Sequence, residues 1–289
     1  MSPPVARVAL ETTLLAHGVP RDAAMPLYDE LTAIVEREGA RPAAIGVVGG
    51  QARSDLSRDE VESLLEVRPT KLNTANLGLA LFRKTAGATT VSTTMEIAAS
   101  SGIAVFATGG LGGVHKHYGT QLDVSADLAA FTRFPVAVVA SGVKSILDVV
   151  ATRELLESLG VPVVGFRTDV FPAFTVADSD AGVDARFDDE DELADFLRFE
   201  LRRTGRGVLV CNPVPPPSAI AKERFAGFLA EAERRASHAG VSGRGVTPFV
   251  LGALAEISAG ETLAANLALV KNNTRVAARL ASRMVASGN

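Results

Sequence analysis

Short apolar runs alternate with longer amphipathic stretches along most of the chain. Six runs have the length and composition of buried strands: Val5–Leu10, Ala43–Val48, Ile103–Ala107, Val136–Ala140, Val161–Gly165 and Val208–Cys211. Eight stretches predict helices: Asp22–Glu38, Arg58–Leu65, Thr90–Ser100, Val143–Leu159, Glu190–Arg203, Ala219–Ala239, Thr247–Ile257 and Thr262–Ala286. This alternation is typical of a three-layer α/β/α domain around a mostly parallel sheet.

The chain shows no linker that would divide these elements between two domains. Its 289 residues, 47% of them hydrophobic, are enough for one sizeable core. The acidic stretch 178–192 is expected to be a solvated loop that enters a helix. We therefore expect a single domain over residues 1–289.

Small or polar residues follow each predicted strand. They are Glu11–Thr13, Gly49–Gly50, Thr108–Gly110, Ser141–Gly142, Arg167–Asp169 and Asn212–Pro213. In open α/β sheets, ligands bind outside the carboxyl ends of the strands. The sequence therefore predicts that these six segments converge on one pocket.

Lys144 is the most informative single residue, in the sequence PVAVVASGVKSILD. A helix from Val143 would place its amine in the first turn, where the helix dipole and low-dielectric walls disfavour an ammonium. A neutral amine attacks carbonyl groups, so this position suggests imine chemistry. A lysine that lies along the surface fits the same pattern equally well.

Glu11 and a threonine-rich segment offer further candidate chemistry. Glu11 ends the first strand, and a carboxylate that faces an enclosed pocket there could act as an acid near neutral pH. The alternative is a structural ion pair or a helix cap. The hydroxyl residues of 89–94 fall at a predicted helix start, where they could bind an oxyanion or phosphate or simply cap the helix.

The segment 107–127 contains candidate metal ligands. Asp123 and Asp127 in LDVSADL could hold a hard divalent cation through water, although four residues is also a common surface spacing. His115 and His117 with Asp123 match no zinc pattern, so a structural or substrate-contacting histidine is favoured. The glycines of ATGGLGGVHKH do not form a dinucleotide fingerprint, which argues against a nicotinamide cofactor.

Composition and charge narrow the classes of partner. The formal net charge is −4, there is no tryptophan, and there are two tyrosines, which argues against a nucleic-acid partner. One cysteine excludes an intrachain disulfide and suits a reducing compartment. With neither a signal-peptide pattern nor an apolar run of spanning length, we expect a cytoplasmic protein without a membrane partner.

Nine segments together resemble the pseudouridine-5'-phosphate glycosidase family, which includes indigoidine synthase A-like proteins. They are ALETTLLAHGVP, GATTVSTTMEIAA, IAVFATGGLGGVH, LDVSADL, VASGVKSILD, GVPVVGFRTDVFPAF, CNPVP, VTPFVLGALAEIS and AANLALVKNN, which follow in order along nearly the whole chain. The resemblance implies a single α/β/α domain around a mixed sheet and a homotrimer. It also implies cleavage or formation of a C–C glycosidic bond at C1' of ribose 5-phosphate, with a divalent metal, typically manganese.

The resemblance assigns roles residue by residue. It makes Glu11 the proton donor, Lys144 the amine that forms an imine with the sugar, and Asp123 the metal ligand. The implied substrate contacts are Lys71, Val91, His115, Ser125, Ala126, Asp127 and Asn266.

Two segments depart from the family pattern. The family's Lys-Val-Ser-Arg-Arg-Asp is here KLNTAN, residues 71–76, so two arginines and an acid are missing. Its His-Arg-Gly-Ala is here HKHY, residues 115–118. These neighbours could shape recognition of the leaving base, whereas the residues implied to carry the chemistry are present.

Three hypotheses for the function stay open. We expect C-ribosylation, in which C1 of ribose 5-phosphate is joined to an aromatic acceptor, as some relatives in antibiotic clusters do. The alternative is cleavage of pseudouridine 5'-phosphate to uracil and ribose 5-phosphate. A catalytically silent sugar-phosphate-binding protein is a third hypothesis, and the presence of Glu11 and Lys144 argues against it.

Overall fold

The computed structural model describes residues 5–116, 119, 122–241 and 246–286, and their strands form one sheet. The strands are β1 (Arg7–Glu11), β2 (Arg41–Val48), β3 (Gln51–Arg53), β4 (Thr70–Leu72), β5 (Gly87–Thr89), β6 (Val105–Ala107), β7 (Ala137–Ala140), β8 (Val163–Phe166), β9 (Ala185–Phe187) and β10 (Val208–Cys211). Their order is β4-β5-β2-β1-β6-β7-β10-β8-β9, and β3 pairs with β2.

The sheet is mixed and mostly parallel, as expected. From β2 to β9 along the strand order every neighbouring pair is parallel, whereas β3 and β5 run antiparallel to β2. The six predicted strands are confirmed to within two residues at each end. The sequence pattern missed β3, β4, β5 and β9, because each has only three residues and such short segments show no periodicity.

Helices cover both faces of the sheet. They are α1 (Thr13–His17), α2 (Arg21–Arg37), α3 (Arg58–Glu66), α4 (Leu77–Phe82), α5 (Val91–Ser100), α6 (Ala126–Ala130), α7 (Val149–Ser158), α8 (Glu190–Thr204), α9 (Lys222–His238), α10 (Val246–Ile257) and α11 (Glu261–Ala286). The ends of α8 follow from local chemistry. Asp189 caps its first turn by accepting from the amides of Asp191 and Glu192, each at 2.9 Å, and Gly205 ends it in the left-handed conformation.

Two apolar cores lie on opposite faces of the sheet. One is shared with α2, α3, α8 and α11, and the other with α4, α5, α6 and α7. Along β7, Ala137 and Val139 pack into the first core, whereas Val138 and Ala140 pack into the second. Because both faces are covered, the central strands appear in the sequence as continuous apolar runs instead of alternating ones. The result is the three-layer α/β/α domain that the sequence predicts.

The helix predicted from Val143 begins six residues later, at Val149. The amide of Lys144 donates to Leu111 O at 3.1 Å, and that of Asp148 donates to Val114 O at 2.9 Å, so this stretch is bound to another segment. Asp148 then caps α7 through the amide of Ala151, at 2.9 Å. Lys144 therefore does not lie in a first helical turn, and the helix-dipole argument for a reactive amine was wrong.

Among the described helices, no single one is long and apolar enough to cross a membrane. Phe249–Ile257 and Glu261–Ala286 reach that length and hydropathy only together, and the pair is bent by 113°.

The turn that leads to Lys144 depends on Gly142, which gives a first prediction. Gly142 has φ +64°, and a Cβ there would lie 1.8 Å from the carbonyl oxygen of Pro172. Gly205 has nearly the same φ, +65°, but nothing lies within 4 Å of its Cβ position. We expect Gly205→Ala to cost about 1 kcal/mol of unfolding free energy from the left-handed conformation alone, and Gly142→Ala to cost about 3 kcal/mol or more because a clash is added.

Urea unfolding of both variants measures the difference. Equal losses of unfolding free energy in the two variants would contradict this prediction, because they would mean that the Pro172 segment moves aside freely.

Candidate active site

Hydrogen bonds join the carboxyl ends of central strands. The side chain of Asn273 on α11 donates to Thr108 O at 2.8 Å and to Gly109 O at 3.3 Å, beyond β6. Its Oδ1 accepts from the Asn212 side chain, beyond β10, at 2.9 Å. The hydroxyl of Ser141, beyond β7, donates to Asn212 O at 2.8 Å. The ends of β6, β7 and β10 are thereby held at one place.

Glu11 is joined to the same place at the end of β1. The hydroxyl of Thr108 donates to its carboxylate, and the residue keeps partial access to solvent. Burial raises the pKa of Glu11, and the charge of Asp127 adds to that effect. Lys144, the Thr108 hydrogen bond and Lys71 act in the opposite direction but do not outweigh burial. The shift is in the direction that the sequence analysis expected of an acid near neutral pH.

Lys71 belongs to the same electrostatic environment. It lies on β4, and burial lowers the pKa of its amine, followed by repulsion from Lys144. Asp127 and Glu11 act against that lowering. The residue is exposed along its length, but it is near enough to these three groups to respond to their charge. We call Glu11, Lys71, Asp127 and Lys144 the charged cluster.

Asp127 is fixed within this cluster by backbone donors. Its Oδ1 accepts from Ser92 N and its Oδ2 from Gly112 N, both at 2.9 Å, and it is 5% exposed. Ser125 caps α6 by accepting from Asp127 N at 3.2 Å, which orients the next residue, Ala126. A Cβ on Gly112 would lie 2.9 Å from Asp127 Oδ2, so glycine is required for this approach. One carboxylate thus supplies the negative charge that the start of α5 favours.

The threonine-rich segment at the start of α5 has its hydroxyl groups engaged internally. Thr89 donates to Ile45 O at 2.8 Å, Thr93 donates to Leu72 O at 3.0 Å, and Thr94 donates to Thr89 at 3.0 Å. This favours the structural alternative over an oxyanion site built from hydroxyls. Val91 is 2% exposed, so a substrate contact at that position would come from its backbone.

The proposed metal position is half-exposed. Asp123 and His115 pair across a short antiparallel bridge, with His115 Nδ1 3.8 Å from Asp123 Oδ2. Within the described ranges, no group of three or more His, Cys, Asp or Glu residues could hold a metal ion. One carboxylate with a nearby imidazole fits a weakly held, water-rich ion, and it does not fit a structural zinc site. His117 and Tyr118 lie outside the described residues.

An apolar cleft of about 270 Å³ lies beside the charged cluster. Ser145, next to Lys144, lines it, as do His17, Phe174, Leu251 and Asn266. Asn266 Nδ2 donates to Gly18 O at 3.4 Å, whereas its buried Oδ1 finds no donor among the described residues. A buried acceptor without a partner is costly, so this oxygen is open to a donor from a ligand or from water.

The structure brings together only part of what the strand-end pattern predicted. The ends of β1, β6, β7 and β10 converge, but Gly49–Gly50 and Arg167–Asp169 do not join them. A Cβ on Gly50 would meet Lys84, and the amide of Arg167 donates to Phe187 O at 2.8 Å near the sheet edge. The prediction of six converging segments was therefore too broad.

Sequence reasoning did not single out three residues that shape the site: His17, Phe174 and Asn273. The imidazole of His17 lies 3.1 Å from Pro69 O, and burial lowers the pKa of this histidine. Asn273 had a readable signal, since it interrupts the apolar stripe formed by Leu269, Val276 and Leu280 on α11.

Comparison with known proteins agrees with this architecture. Residues 2–283 match the family described as indigoidine synthase A like protein. The chain is 44% identical over 280 residues to a pseudouridine-5'-phosphate glycosidase of Dinoroseobacter shibae, covering 95% of this chain and 90% of that protein. It is also 44% identical over 282 residues to one of Symbiobacterium thermophilum, covering 95% and 91%.

Two solved structures share the fold. An indigoidine synthase A-like protein from Thermotoga maritima aligns with a TM-score of 0.89 at 35% identity, covering 97% of this chain and 93% of that chain. The prealnumycin C-glycosynthase AlnA in complex with ribulose 5-phosphate also aligns with a TM-score of 0.89 at 35% identity, covering 98% and 92%. The chain belongs to the indigoidine synthase A-like family, which confirms the resemblance inferred from its sequence.

The raised pKa of Glu11 predicts a pH-dependent stability effect. Ionised Glu11 is disfavoured in the folded protein, so the wild type loses stability as the pH rises through that raised pKa. Glu11→Gln removes the ionisation, and we expect its melting temperature to exceed that of the wild type at pH 8 by about 2–4 °C. Towards pH 4 the advantage should disappear, because Glu11 is then protonated in both the folded and unfolded states.

Scanning calorimetry at both pH values measures this, with the exposed Glu154→Gln as the matched control. A Glu11→Gln difference that is the same at pH 4 and pH 8 would contradict the raised pKa.

Proposed function

We propose that this protein, a C-glycosidic enzyme, cleaves pseudouridine 5'-phosphate to uracil and ribose 5-phosphate through an imine at Lys144. The observation that carries the proposal is a carboxyl group with a raised pKa, Glu11, in one charged cluster with the amine of Lys144. Relatives that are 44% identical over nearly the whole chain bear the glycosidase name, which favours cleavage over the C-ribosylation expected from the two departing segments.

In the proposed reaction the nitrogen of Lys144 supplies the electron pair that forms the imine. The Lys144 amine bonds to C1', and the ring C–O bond breaks, with its oxygen taking a proton from Glu11. The C–C bond then breaks, and its electron pair leaves with uracil C5, which takes up a proton, while nitrogen and C1' form the imine. Water hydrolyses the imine and releases ribose 5-phosphate and the free amine. The net change is the addition of one water across the C–C bond.

The remaining family positions have proposed roles in holding the sugar phosphate. Lys71 provides a cation for the phosphate, and Asp127, whose carboxylate is already oriented by two backbone amides, accepts from sugar hydroxyls. We place the Val91 backbone, Ser125, Ala126 and His115 around the same ligand. Binding in this way keeps C1' beside Lys144, so that the bond-breaking step proceeds from a fixed geometry.

The apolar cleft is the proposed place for the leaving base. Uracil presents N–H donors and a flat ring, and the cleft offers the unpaired Oδ1 of Asn266 together with the ring of Phe174. An N–H donated to that oxygen would satisfy an acceptor that is otherwise buried without a partner.

Joining ribose 5-phosphate to a larger aromatic acceptor is the second candidate function. The apolar lining of the cleft by Phe174, Leu251 and Leu254 suits an aromatic ring, and Thr74 and Ala75 replace the family's two arginines. The charged cluster would then catalyse formation of the C–C bond instead of its cleavage. The structural match to AlnA supports this candidate.

We propose Asp123 as the ligand of a divalent metal ion, and Mn²⁺ is the ion used to test this. When bound, it would supply positive charge and ordered water next to the sugar phosphate. The homotrimer and the cytoplasmic location expected from the sequence stay predictions.

The decisive prediction concerns uracil release. Wild-type protein supplied with pseudouridine 5'-phosphate should release uracil with kcat/KM at or above about 10⁴ M⁻¹s⁻¹, the lower range of ordinary enzymes. Lys144→Met should abolish turnover, and Glu11→Gln should reduce it by about a hundredfold or more because glutamine exchanges no proton. Lys271→Met removes a lysine that pairs with Glu30 away from the cluster and should leave turnover unchanged.

Chromatography of free uracil measures the rate. Absence of uracil release, with ribose 5-phosphate consumed in the presence of an aromatic acceptor, would overturn the glycosidase proposal in favour of the second candidate.

Metal dependence gives a separate prediction. A single carboxylate holds a water-rich ion weakly, so EDTA should remove activity and Mn²⁺ should restore it. Asp123→Asn should raise the Mn²⁺ concentration needed for half-maximal activity by about tenfold, whereas the exposed Asp59→Asn should not change it. Full activity of Asp123→Asn in excess EDTA would eliminate Asp123 as a metal ligand.

A further inference from the structure

Asn273 is a wholly buried carboxamide in an apolar stripe. It lies on α11, its exposed fraction is 0%, and its helical neighbours Leu269, Val276 and Ala277 are all core residues. Burial of an amide without partners costs several kcal/mol, so a polar residue at such a position is retained only where its hydrogen bonds are made. Neither the reaction proposed above nor the family positions named from sequence use this residue.

Every polar atom of the Asn273 side chain has a partner at the carboxyl edge of the sheet. Its Nδ2 donates to Thr108 O and Gly109 O, and also to Ser141 Oγ at 3.2 Å. Its Oδ1 accepts from Asn212 Nδ2 at 2.9 Å and from Ser141 Oγ at 3.4 Å. The ends of β6, β7 and β10 also contact one another directly, through Ser141 N to Gly109 O at 2.9 Å and Ser141 Oγ to Asn212 O at 2.8 Å. Asn273 adds one side chain that bonds to all three ends at once.

Two partners of Asn273 are connected to Glu11 and Lys144, the residues with proposed catalytic roles. Thr108, whose carbonyl it holds, donates its own hydroxyl to Glu11. Ser141, which also exchanges hydrogen bonds with it, begins the turn that places Lys144 three residues later. The same helix face contacts the Gly-rich segment elsewhere, since a Cβ on Gly109 would lie 3.3 Å from Val270 Cγ2.

We propose that Asn273 is a positioning residue, which sets the Thr108–Glu11 hydrogen bond and the Ser141–Lys144 turn in register for catalysis. The inference rests on the roles proposed for Glu11 and Lys144. A carboxamide suits the task because it donates to carbonyls on one side and accepts on the other, from a rigid helix. An apolar side chain of the same size would leave Thr108 O, Gly109 O and Asn212 Nδ2 without these partners.

Loss of Asn273 should alter the titration of Glu11 as well as the rate. Lys144, Asp127 and Lys71 act on Glu11 by charge, and the Thr108 hydroxyl stabilises its ionised form. If Thr108 loses its anchor, that stabilisation weakens and the pKa of Glu11 rises further. A purely structural asparagine would lower stability without moving this titration.

The test is a double-mutant cycle on the pH dependence of pseudouridine 5'-phosphate cleavage. Asn273→Ala, Thr108→Val and the double variant are compared with wild type, and Glu11→Gln identifies which limb of the pH profile belongs to Glu11. Thr274→Val is the matched control, because Thr274 is buried on the same helix. Among the residues that the structure describes, its hydroxyl bonds only to Val270 O, at 2.8 Å, within the helix.

We expect Asn273→Ala to lower kcat by about 10–100-fold, as small misplacements of catalytic groups do, with KM within about threefold. The limb that Glu11→Gln abolishes should move to higher pH in Asn273→Ala and stay in place in Thr274→Val. When Thr108 is already valine, Asn273→Ala should lower kcat by less than about a further threefold. The reason is that both residues act on Glu11 through the same Thr108 hydrogen bond.

Each other outcome has a defined meaning. Unchanged kcat and pH profile in folded Asn273→Ala would overturn the positioning role. The role would also be overturned if Asn273→Ala lowered kcat as much in the Thr108→Val protein as it does in the wild type. A wild-type profile without a limb that depends on Glu11 would instead refute the proposed mechanism. If Asn273→Ala does not fold, Asn212→Leu removes one partner of Asn273 and should move the same limb in the same direction; an unmoved limb there would overturn the inference.

Discussion

The hydrogen bonds of the Asn273 carboxamide are the interactions on which the arrangement of the site depends. In a parallel sheet that is buried on both faces, the strands carry apolar side chains, so polar side-chain contacts occur mainly at their ends. In this protein one side chain of α11 connects the ends of β6, β7 and β10, and Thr108 extends the connection to Glu11 on β1. The strands thus supply rigidity, and their joined ends supply a place where charged groups can be held close together.

Burial and the mutual effects of the charges in the charged cluster then set the protonation of its side chains. Burial raises the pKa of Glu11 and lowers that of Lys71, so both groups are shifted towards their neutral forms. Lys144 and Asp127 modulate both shifts through their charge. A carboxyl group shifted towards its neutral form beside amines is what the proposed imine chemistry requires. The neighbouring apolar cleft adds a place for a flat ring, which suits the C-glycosidic substrates that the proposal names.

Much of this could be predicted from the sequence, and the exceptions have physical causes. Buried parallel strands are continuous apolar runs, so the six predicted strands and the α/β/α class were correct. The start of α7 was not, because Asp148 caps the helix and the preceding amides bind Leu111 and Val114, which are distant in sequence. The role of Asn273 depends on which strand ends lie beneath α11, and that is a property of the tertiary fold. Glu11 and Lys144 could be singled out as candidates from the sequence because Glu11 ends a strand and Lys144 follows the turn after another.

Covalent trapping tests the central claim most directly. The protein is incubated with ribose 5-phosphate and borohydride, followed by intact mass measurement and peptide mapping of the adduct. The account predicts one reduced pentose phosphate per chain, attached at Lys144, absent from Lys144→Met and retained when Gln replaces Glu11. An adduct mapped to Lys71, or one that persists in Lys144→Met, would contradict it.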